Sequence, residues 1–538
     1  MKGFNKIILW SALFCFCGLS PSHATVHEQL AVSTKAMSLG NAVTAYPPGI
    51  MAIHYNPAGL SLLRDREFSV GIMYPLKIET TGRFTADPDF EGFMGKNDDP
   101  LAGTTGKTTK GAMYVPGMGS EPILTAPNIG ASFRKPGSRW TFGFGIYAPY
   151  GIGVSVNDFN RDNDNPRRFG GPFIYNQRLV YAAPAVSYQA TDTFSVGLSL
   201  GFGQTAEGAR GLCLRAPNDV VAALDALGKA TEGLEIPVVS ELTLPPPWFG
   251  GGLPTYGKLG QLDFDIRDDF TTSFNVGFLW EPRDWFSFGA CYQSEAKSKK
   301  AKGTYIFKYS PQWQNFVNWF GKSPTTLVLA SIFDLPYSAV SQQTGRIYLE
   351  EWVQPQRIQC GVMLRPLKKL RLMCDFHWVN WSAIKRDVFV FDQDIQLLKV
   401  VKLLGYTGGD RKLILERHWE DTCHVSYGAE FQLFDWLSLR AGFEPRPSSV
   451  PDKYYDLTWP VQDWKIYSGG LGIKVNDKVS VDLGYSYLVG KNRKIPNNKS
   501  RIFNSTDFTK IIYNPYAGLN YEQDTEAHLI LVNLNYVW

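Results

Sequence analysis

The sequence has few residues that could catalyse a reaction or hold a metal. Its 538 residues include only seven cysteines and seven histidines, with no CxxC pair and no Cys/His cluster. We therefore expect no zinc site, no metal, no cofactor and no disulfide framework. Residues 197–201 match the G-x-S-x-G nucleophile motif but lie inside an alternating strand pattern with no helix after it. We expect Ser199 to face an interior, and we predict that the protein is not an enzyme.

Charge is also scarce. Charged residues make up 19% of the chain, and the formal net charge is +4. The charged fraction lies below the roughly 25% that is usual in soluble globular domains. A chain so weakly charged offers no basic surface for a nucleic acid, so no nucleic-acid partner is expected.

The sequence has only one long apolar run, at its N-terminus. Residues 7–19 follow two lysines and end before the small residues of Ser22-His23-Ala24. This pattern predicts a signal peptide over residues 1–24, cleaved before Thr25. The alternative is an uncleaved anchor, but the run is shorter than the roughly 20 residues that a spanning helix needs. A secreted chain with no second span is periplasmic, extracellular or an outer-membrane β-barrel.

Glycine and aromatic residues are abundant, and aromatic residues make up 14% of the chain. They recur in stretches that alternate apolar with small or polar residues, such as 68–78, 194–202 and 530–538. This period of two is typical of amphipathic β-strands. Fourteen strands are predicted, at residues 67–78, 127–135, 139–148, 172–189, 193–204, 264–281, 285–296, 352–365, 369–381, 415–434, 436–444, 464–475, 478–489 and 525–537.

The connections between these strands alternate between short turns and long loops. Short turns on one side and long loops on the other are the pattern of a transmembrane barrel, whereas a soluble sandwich has loops of mixed length at both ends. The predicted fold class is therefore all-β: a fourteen-stranded antiparallel transmembrane β-barrel over residues 67–538.

Two of the long loops, residues 205–263 and 297–351, are unusually apolar. An exposed apolar patch usually marks a binding site. The candidate ligand-binding aromatics of these loops are Trp248, Phe249, Trp313, Phe316 and Trp319. The alternative is that the two loops only bury each other as a cap.

The compact element that precedes the strands is not a strand itself. Residues 31–62 read as a short apolar helix, a Pro-Pro-Gly turn and a second turn at Asn56-Pro57-Ala58. The pattern predicts an N-terminal hatch over residues 25–66 that plugs the barrel lumen.

Charged residues at lumen-facing positions are the remaining candidates for a ligand site. The alternation places Arg440 and Glu444 on the inner face of one strand and Arg178 on the inner face of another. Pairing across the lumen, with no functional role, is the ordinary expectation for such charges. An inward arginine below apolar loops would instead be able to hold a carboxylate through two hydrogen bonds.

Several stretches occur in the order and spacing of one known family. They are the residues around Ala36-Met37, the Asn56-Pro57-Ala58 turn, and residues 149–153, 378–382, 419–422, 439–443 and 481–485. In this ordered set the chain resembles the FadL family of outer-membrane transporters for long-chain fatty acids. The first two stretches resemble the family's hatch, and residues 149–153 resemble the region where the family kinks its third strand.

The resemblance implies passive uptake of a hydrophobic ligand, above all a long-chain fatty acid, across the bacterial outer membrane. Apolar loops would capture the ligand, and the barrel wall would release it sideways. The implied partners are outer-membrane lipid, lipopolysaccharide and the barrel-assembly machinery, which recognises a terminal aromatic such as Trp538. Two alternatives stay open: a channel for aromatic or aliphatic hydrocarbons on the same fold, and an outer-membrane lipase.

The exit is expected at the third strand. Pro149, Gly151 and Gly153 fall where its alternation breaks, and proline lacks a donor for the strand ladder. We expect a gap in the wall at this point, filled by the turn at residues 56–58. The alternative is that this turn merely links the hatch to the first strand.

Overall fold

The computed structural model describes most of the chain. The described residues are 31–63, 66–96, 98–109, 126–155, 171–215, 218–234, 236–239, 242–299, 301–403, 406–455, 457, 461–496 and 516–538. The signal peptide predicted over residues 1–24 lies outside them. Within these ranges, none of the helices has the length and apolar character needed to cross a membrane.

Fourteen long strands form one closed antiparallel sheet. They are β1 (Arg66–Ala86), β2 (Ala126–Arg134), β3 (Trp140–Ser155), β4 (Phe173–Thr191), β5 (Phe194–Leu214), β6 (Gly260–Arg283), β7 (Phe286–Gln293), β8 (Arg357–Leu367), β9 (Leu370–Val379), β10 (Thr422–Phe434), β11 (Leu437–Arg446), β12 (Trp464–Lys474), β13 (Val479–Ile495) and β14 (Leu519–Val537). Each strand pairs with the next, and β14 closes the barrel against β1. The predicted fourteen-stranded barrel is confirmed.

The outer face of the barrel is an apolar band. On β14, Ile530, Val532 and Leu534 are exposed, whereas the alternating Leu531 and Asn533 are buried. Exposed tryptophans lie beside the short turns, as in the aromatic girdle of membrane barrels. They are Trp140, Trp280, Trp285, Trp436 and Trp538.

Several strands run further towards the long loops than the alternation predicts. β1 ends at Ala86 instead of residue 78, and β5 ends at Leu214 instead of residue 204. Residues 205–209 of β5 are all buried, so both faces of the strand are covered there. Alternation disappears where both faces are covered, which hid the extension of β5 from the sequence pattern.

Short strands extend or flank the barrel. They are Thr105–Thr109, Ile236–Val239, Leu242–Leu244, Ala296–Ser298, Lys302–Tyr309, Gln342–Leu349, Trp352–Gln354, Arg386–Phe391 and Lys412–Glu416. The strand predicted over residues 415–434 is therefore two strands, with a break before β10. Likewise, the strand predicted from residue 352 starts as a barrel strand only at Arg357.

Residues 31–63, which we call the plug, pack inside the barrel. The plug contains α1 (Thr34–Ser38), α2 (Ala52–Tyr55) and the 3-10 turns Gly49–Met51 and Pro57–Leu62. Its apolar side chains Ala36, Leu39, Ile53 and Leu60 are fully buried. They share one core with barrel residues such as Met373.

The plug backbone touches the wall at glycines. A Cβ at Gly442 would lie 2.0 Å from the backbone nitrogen of Gly40. A Cβ at Gly197 would lie 2.2 Å from the carbonyl carbon of Pro57. Only glycine allows two backbones to approach so closely, so these positions fix how deeply the plug sits.

The long loops fold into a helical cap. The cap helices are α3 (Asp219–Ala230), α4 (Pro311–Trp319), α5 (Pro324–Ile332) and α6 (Gln396–Leu403), and the 3-10 turns are Trp248–Gly251, Trp381–Ala383 and Asp452–Tyr454. The side chain of Asn218 N-caps α3. Beside α6, Arg411 Nε donates to Asp394 Oδ1 at 2.6 Å and lowers the pKa of that carboxyl.

Substituting Gly442 by alanine should loosen the plug. The added methyl would overlap the Gly40 backbone, and overpacking of this kind costs about 1–3 kcal/mol. We expect the folded band on unboiled gels to convert to the unfolded band at a lower temperature. Gly469→Ala on the neighbouring strand is the matched control, because its Cβ would lie 3.8 Å from the nearest neighbouring atom, the carbonyl oxygen of Arg440. Equal conversion temperatures for both variants would contradict the close contact.

Candidate functional site

The turn at residues 56–58 lies against strands β4 to β7. Asn56 Nδ2 donates to the carbonyl oxygen of Phe278 on β6 at 2.9 Å. Ser187 Oγ on β4 donates to the carbonyl oxygen of Ala58 at 3.0 Å. The turn therefore links two wall strands and is more than a connection to β1.

A break in the wall lies at β3, close to the place that the sequence indicates. The pairing of β3 with β4 shifts register on both sides of Tyr147, between Gly145 and Tyr150. Beyond it, Gly151 and Gly153 pair regularly with β4. The irregular stretch therefore lies just before these two glycines and includes Pro149.

The plug residue beside this break is His54. Its ring meets the ring of Tyr147 edge-on, with ring centroids 5.1 Å apart. The turn at residues 56–58, expected beside this break, lies mainly against β4 to β7, and the 3-10 turn Pro57–Leu62 that includes it also approaches β3, as α2 does. The sequence missed His54 because a lone histidine on a short helix carries no motif.

Mostly neutral groups fasten the second half of the plug, together with the guanidinium of Arg134, which donates to the carbonyl oxygen of Ser61. Ser199 Oγ on β5 donates to the carbonyl oxygen of Ile53 at 2.8 Å, so it faces the interior as predicted. Asn275 on β6 donates to the same oxygen at 3.0 Å. Ser61 Oγ donates to Ser195 Oγ at 2.8 Å. Each of these last three bonds joins a hydroxyl or amide to another neutral group.

Carboxylates fasten the first half of the plug. Asp375 Oδ2 on β9 accepts from the backbone nitrogen of Thr44 at 2.6 Å. Glu430 Oε1 on β10 accepts from the hydroxyl of Tyr46 at 2.9 Å. Among the described His, Cys, Asp and Glu residues, no group could hold a metal ion.

Glu444 belongs to this set of carboxylates. It is fully buried on β11, as its inward position predicts. Its two oxygens accept from Asn41 Nδ2 at 2.7 Å, His424 Nε2 at 3.0 Å and Arg446 Nε at 2.7 Å. With both oxygens occupied, Glu444 joins plug to wall and offers little to a ligand.

Arg440 also points inward, as its position in the alternation predicts. Its Nε donates to Glu430 Oε2 at 2.8 Å, and its Nη1 donates to Asp482 Oδ1 at 2.5 Å. The side chain is only 8% exposed. Both carboxylates are already bound to Arg440. This geometry favours the alternative that Arg440 pairs across the lumen and has no role in ligand binding.

Arg178 differs from the other buried cations of the lumen. The residue is 2% exposed on β4. Its guanidinium donates to Thr271 Oγ1 at 3.3 Å, Gln354 Oε1 at 3.0 Å and Ser273 Oγ at 3.0 Å. All three partners are neutral, and no described carboxylate pairs with this guanidinium. It is thus a buried positive charge without a counter-ion.

A narrow void separates the plug from the wall next to this group. It measures about 30 Å³, and its lining includes His54, Gln354, Arg357 and Arg446. Such a volume holds about one water molecule. The lining mixes apolar and polar side chains and includes two arginines, of which Arg446 is paired with Glu444.

The aromatic residues of the two loops do not form the exposed binding patch that the sequence predicts. Trp313, Phe316 and Trp319 are at most 3% exposed. Phe249 packs on Trp319 with ring centroids 4.9 Å apart, and Trp248 packs at the edge of the same core. The two loops therefore bury each other as a cap, which was the alternative. Apolar sequence alone does not distinguish a binding face from a loop–loop core.

Comparisons with known proteins identify relatives over the whole chain. The model of the family described as outer membrane protein transport protein (OMPP1/FadL/TodX) matches residues 15–538. Outer membrane protein P1 of Haemophilus influenzae is 22% identical over 554 residues, which covers 100% of both chains. A putative outer membrane protein of Neisseria meningitidis serogroup B is 22% identical over 471 residues, covering 87% of this chain and 86% of that protein.

Solved structures share the fold. A FadL homologue of Pseudomonas aeruginosa superposes with a TM-score of 0.65 at 14% identity, covering 96% of this chain and 100% of that one. The toluene transporter TbuX of Ralstonia pickettii gives a TM-score of 0.54 at 15% identity, covering 95% and 99%. At such identities the likeness shows the fold alone.

Removing Arg440 should destabilise the barrel severely. Arg440→Ala leaves the mostly buried Asp482 without its cation and leaves Glu430 with Arg371, at 2.9 Å, as its remaining paired cation. Breaking a buried pair in this way costs about 3–5 kcal/mol. The exposed Arg83 offers a matched control, because it also lies between two carboxylates, at 2.5 Å and 3.5 Å. Its alanine variant should lose under about 1 kcal/mol. Urea unfolding followed by tryptophan fluorescence measures both; equal losses would refute the structural role.

Proposed function

Because the chain belongs to the family of outer membrane transport proteins that includes OMPP1, FadL and TodX, we propose that it takes up long-chain fatty acids across the bacterial outer membrane. The solved relatives include both a FadL homologue and a toluene transporter. Family membership therefore leaves an acid and a hydrocarbon as ligands. The choice between them rests on the lumen of this chain.

The buried Arg178 carries the proposal. A hydrocarbon gains nothing from a guanidinium, whereas a carboxylate can accept two parallel hydrogen bonds from it. Burying a charge without a counter-ion is unfavourable, so this site has a reason to bind an anion. Its present partners, the side chains of Thr271, Ser273 and Gln354, are neutral acceptors that a carboxylate would replace.

Capture at the outer surface has support on the cap. Although the loop aromatics are buried, α5 and the residue after it present apolar side chains to solvent. Val328 is 58% exposed, Ile332 70% and Phe333 49%. An acyl chain would bury this patch on landing, while the charged head group stays in water.

Release is proposed sideways at the β3 break. In a closed barrel, every strand edge is paired, so a ligand leaves through the wall only where pairing is irregular. The shifts around Tyr147 are such a place, and His54 of the plug lies behind it. A small movement of α2 and the following turn would open a path from the void to the lipid.

Arg178→Gln should distinguish the two ligand classes. Glutamine keeps a hydrogen-bonding side chain but removes the charge, and a lost charged hydrogen bond weakens binding by roughly 1.5–3 kcal/mol. We expect the affinity for oleate to fall about ten- to hundredfold, while that for a neutral alkene of equal length stays unchanged. Binding to purified protein in nanodiscs, by titration calorimetry, measures both.

The control for this experiment is Arg139→Gln. Arg139 is an exposed arginine in a short turn and should leave both affinities unchanged. Equal losses for oleate and alkene in Arg178→Gln would assign Arg178 to structure. An unchanged oleate affinity with tight alkene binding would favour the hydrocarbon channel.

A reversible cross-link tests whether the plug must move. The hydroxyls of Ser61 and Ser195 lie 2.8 Å apart, so cysteines at both positions are placed to form a disulfide between plug and wall. The oxidised double variant should bind oleate at the cell surface but not take it up, and dithiothreitol should restore uptake. Ser61→Cys alone should behave as the unmodified protein. Wild-type uptake by the oxidised double variant would show that this end of the plug stays fixed.

A further inference from the structure

A second, larger cavity lies between the outer ends of β3 to β5 and the loop residues 349–353 and 383–388. Its volume is about 570 Å³, within the usual range for small-molecule sites. Its lining combines the rings of Tyr150 and Trp352 with the carboxyls of Glu207 and Asp387. The narrow void beside the plug has a different lining, apart from the shared Tyr150.

Glu207 has less hydrogen bonding than a buried carboxyl needs. It is 7% exposed, and Oε2 accepts from Asn176 Nδ2 at 3.1 Å. Among the described residues, Oε1 has no hydrogen-bond partner, and none of their cations forms an ion pair with the group. Burial of an ionised carboxylate without a partner is costly, so this oxygen is a place for a positively charged group of a ligand.

The one buried cation of the cavity is already paired. Arg417 Nε donates to Asp387 Oδ2 at 2.7 Å, with side chains 4% and 19% exposed. The inner lining thus holds two carboxyls and one guanidinium, and Glu207 is the group in excess. The rim carries the solvent-exposed charges Lys299, Lys385, Arg386, Glu350 and Glu351. These rim charges have mixed signs and are screened by water.

The aromatic lining is held in a fixed orientation. The rings of Tyr150 and Trp352 meet edge-to-face with centroids 5.8 Å apart. Trp352 Nε1 donates to Asn176 Oδ1 at 2.9 Å, so the amide that holds Glu207 also holds the indole. Aromatic faces attract cations, most strongly when the site is shielded from water.

We propose that this cavity binds the positively charged head group of an amphipathic amine, with Glu207 as the counter-ion and the rings of Trp352 and Tyr150 as its walls. The proposal goes beyond fatty-acid uptake, because the ligand has the opposite charge and uses different residues. A carboxylate would instead be repelled by Glu207, so the cavity and the Arg178 site select different head groups.

Three probes with the same eight-carbon chain test the proposal: octyltrimethylammonium, octanol and octanoate. Binding to the full-length protein in nanodiscs is followed by calorimetry and by tryptophan fluorescence. We expect octyltrimethylammonium to bind most tightly of the three. Glu207→Gln should raise its dissociation constant about tenfold and leave that of octanol unchanged, since glutamine keeps an acceptor for Asn176. Folding is checked by the band shift on unboiled gels.

Glu351→Gln is the matched control, because it removes one carboxylate from the exposed rim. It should change each dissociation constant less than twofold. Equal affinities for the three probes, or tightest binding of octanoate, would overturn the proposal. An equal loss of affinity for all three probes in Glu207→Gln would also overturn the proposal. Because Arg178 plays no part in this site, Arg178→Gln should leave octyltrimethylammonium binding unchanged whether or not fatty acids are transported.

Discussion

The closed strand ladder is the constraint on which the rest of the structure depends. A sheet in lipid must pair every strand, so β14 pairs with β1 and the fourteen strands enclose a lumen. A lumen of this size is not filled by the wall's own side chains, and the plug fills it. The wall makes room with glycines such as Gly442 and Gly197, where backbone meets backbone. The apolar outer face of the strands, the glycines on their inner face and the buried plug thus all follow from the closure of the barrel.

The fold was readable from the sequence because this closure leaves a periodic pattern. Apolar residues alternate wherever one face meets lipid, so the fourteen strands and their order were predictable. The outer end of β5 was not, because both of its faces are covered and alternation is lost. The cap was misjudged for a related reason: Trp313 and Trp319 are as apolar in a loop–loop core as they would be on a binding face.

Only part of the candidate site could be predicted from the sequence. The alternation of inward and outward residues placed Arg440, Glu444 and Arg178 in the lumen, but it does not show which residues they contact. Those partners come from distant strands: Arg440 meets Asp482 of β13, and Glu444 meets Asn41 of the plug. Only in three dimensions does Arg178 differ from the others, because its neighbours happen to be neutral. Glu207 was not singled out, since it lies beyond the alternating part of β5.

The way the plug is held indicates which part of it can move. Carboxylates on β9 to β11 hold residues 41–46, while hydroxyls and amides on β4 to β7 hold most of the bonds to residues 53–61. Hydrogen bonds to ionised groups are roughly twice as strong as neutral ones. Bond by bond, the second half of the plug is therefore attached more weakly, except at Ser61, whose carbonyl oxygen accepts from the guanidinium of Arg134. It is also the half next to β3, where the pairing of the wall is irregular. The more weakly attached half of the plug thus faces the irregular pairing of β3. An opening on this side would leave the bonds between residues 41–46 and the carboxylates of β9 to β11 intact.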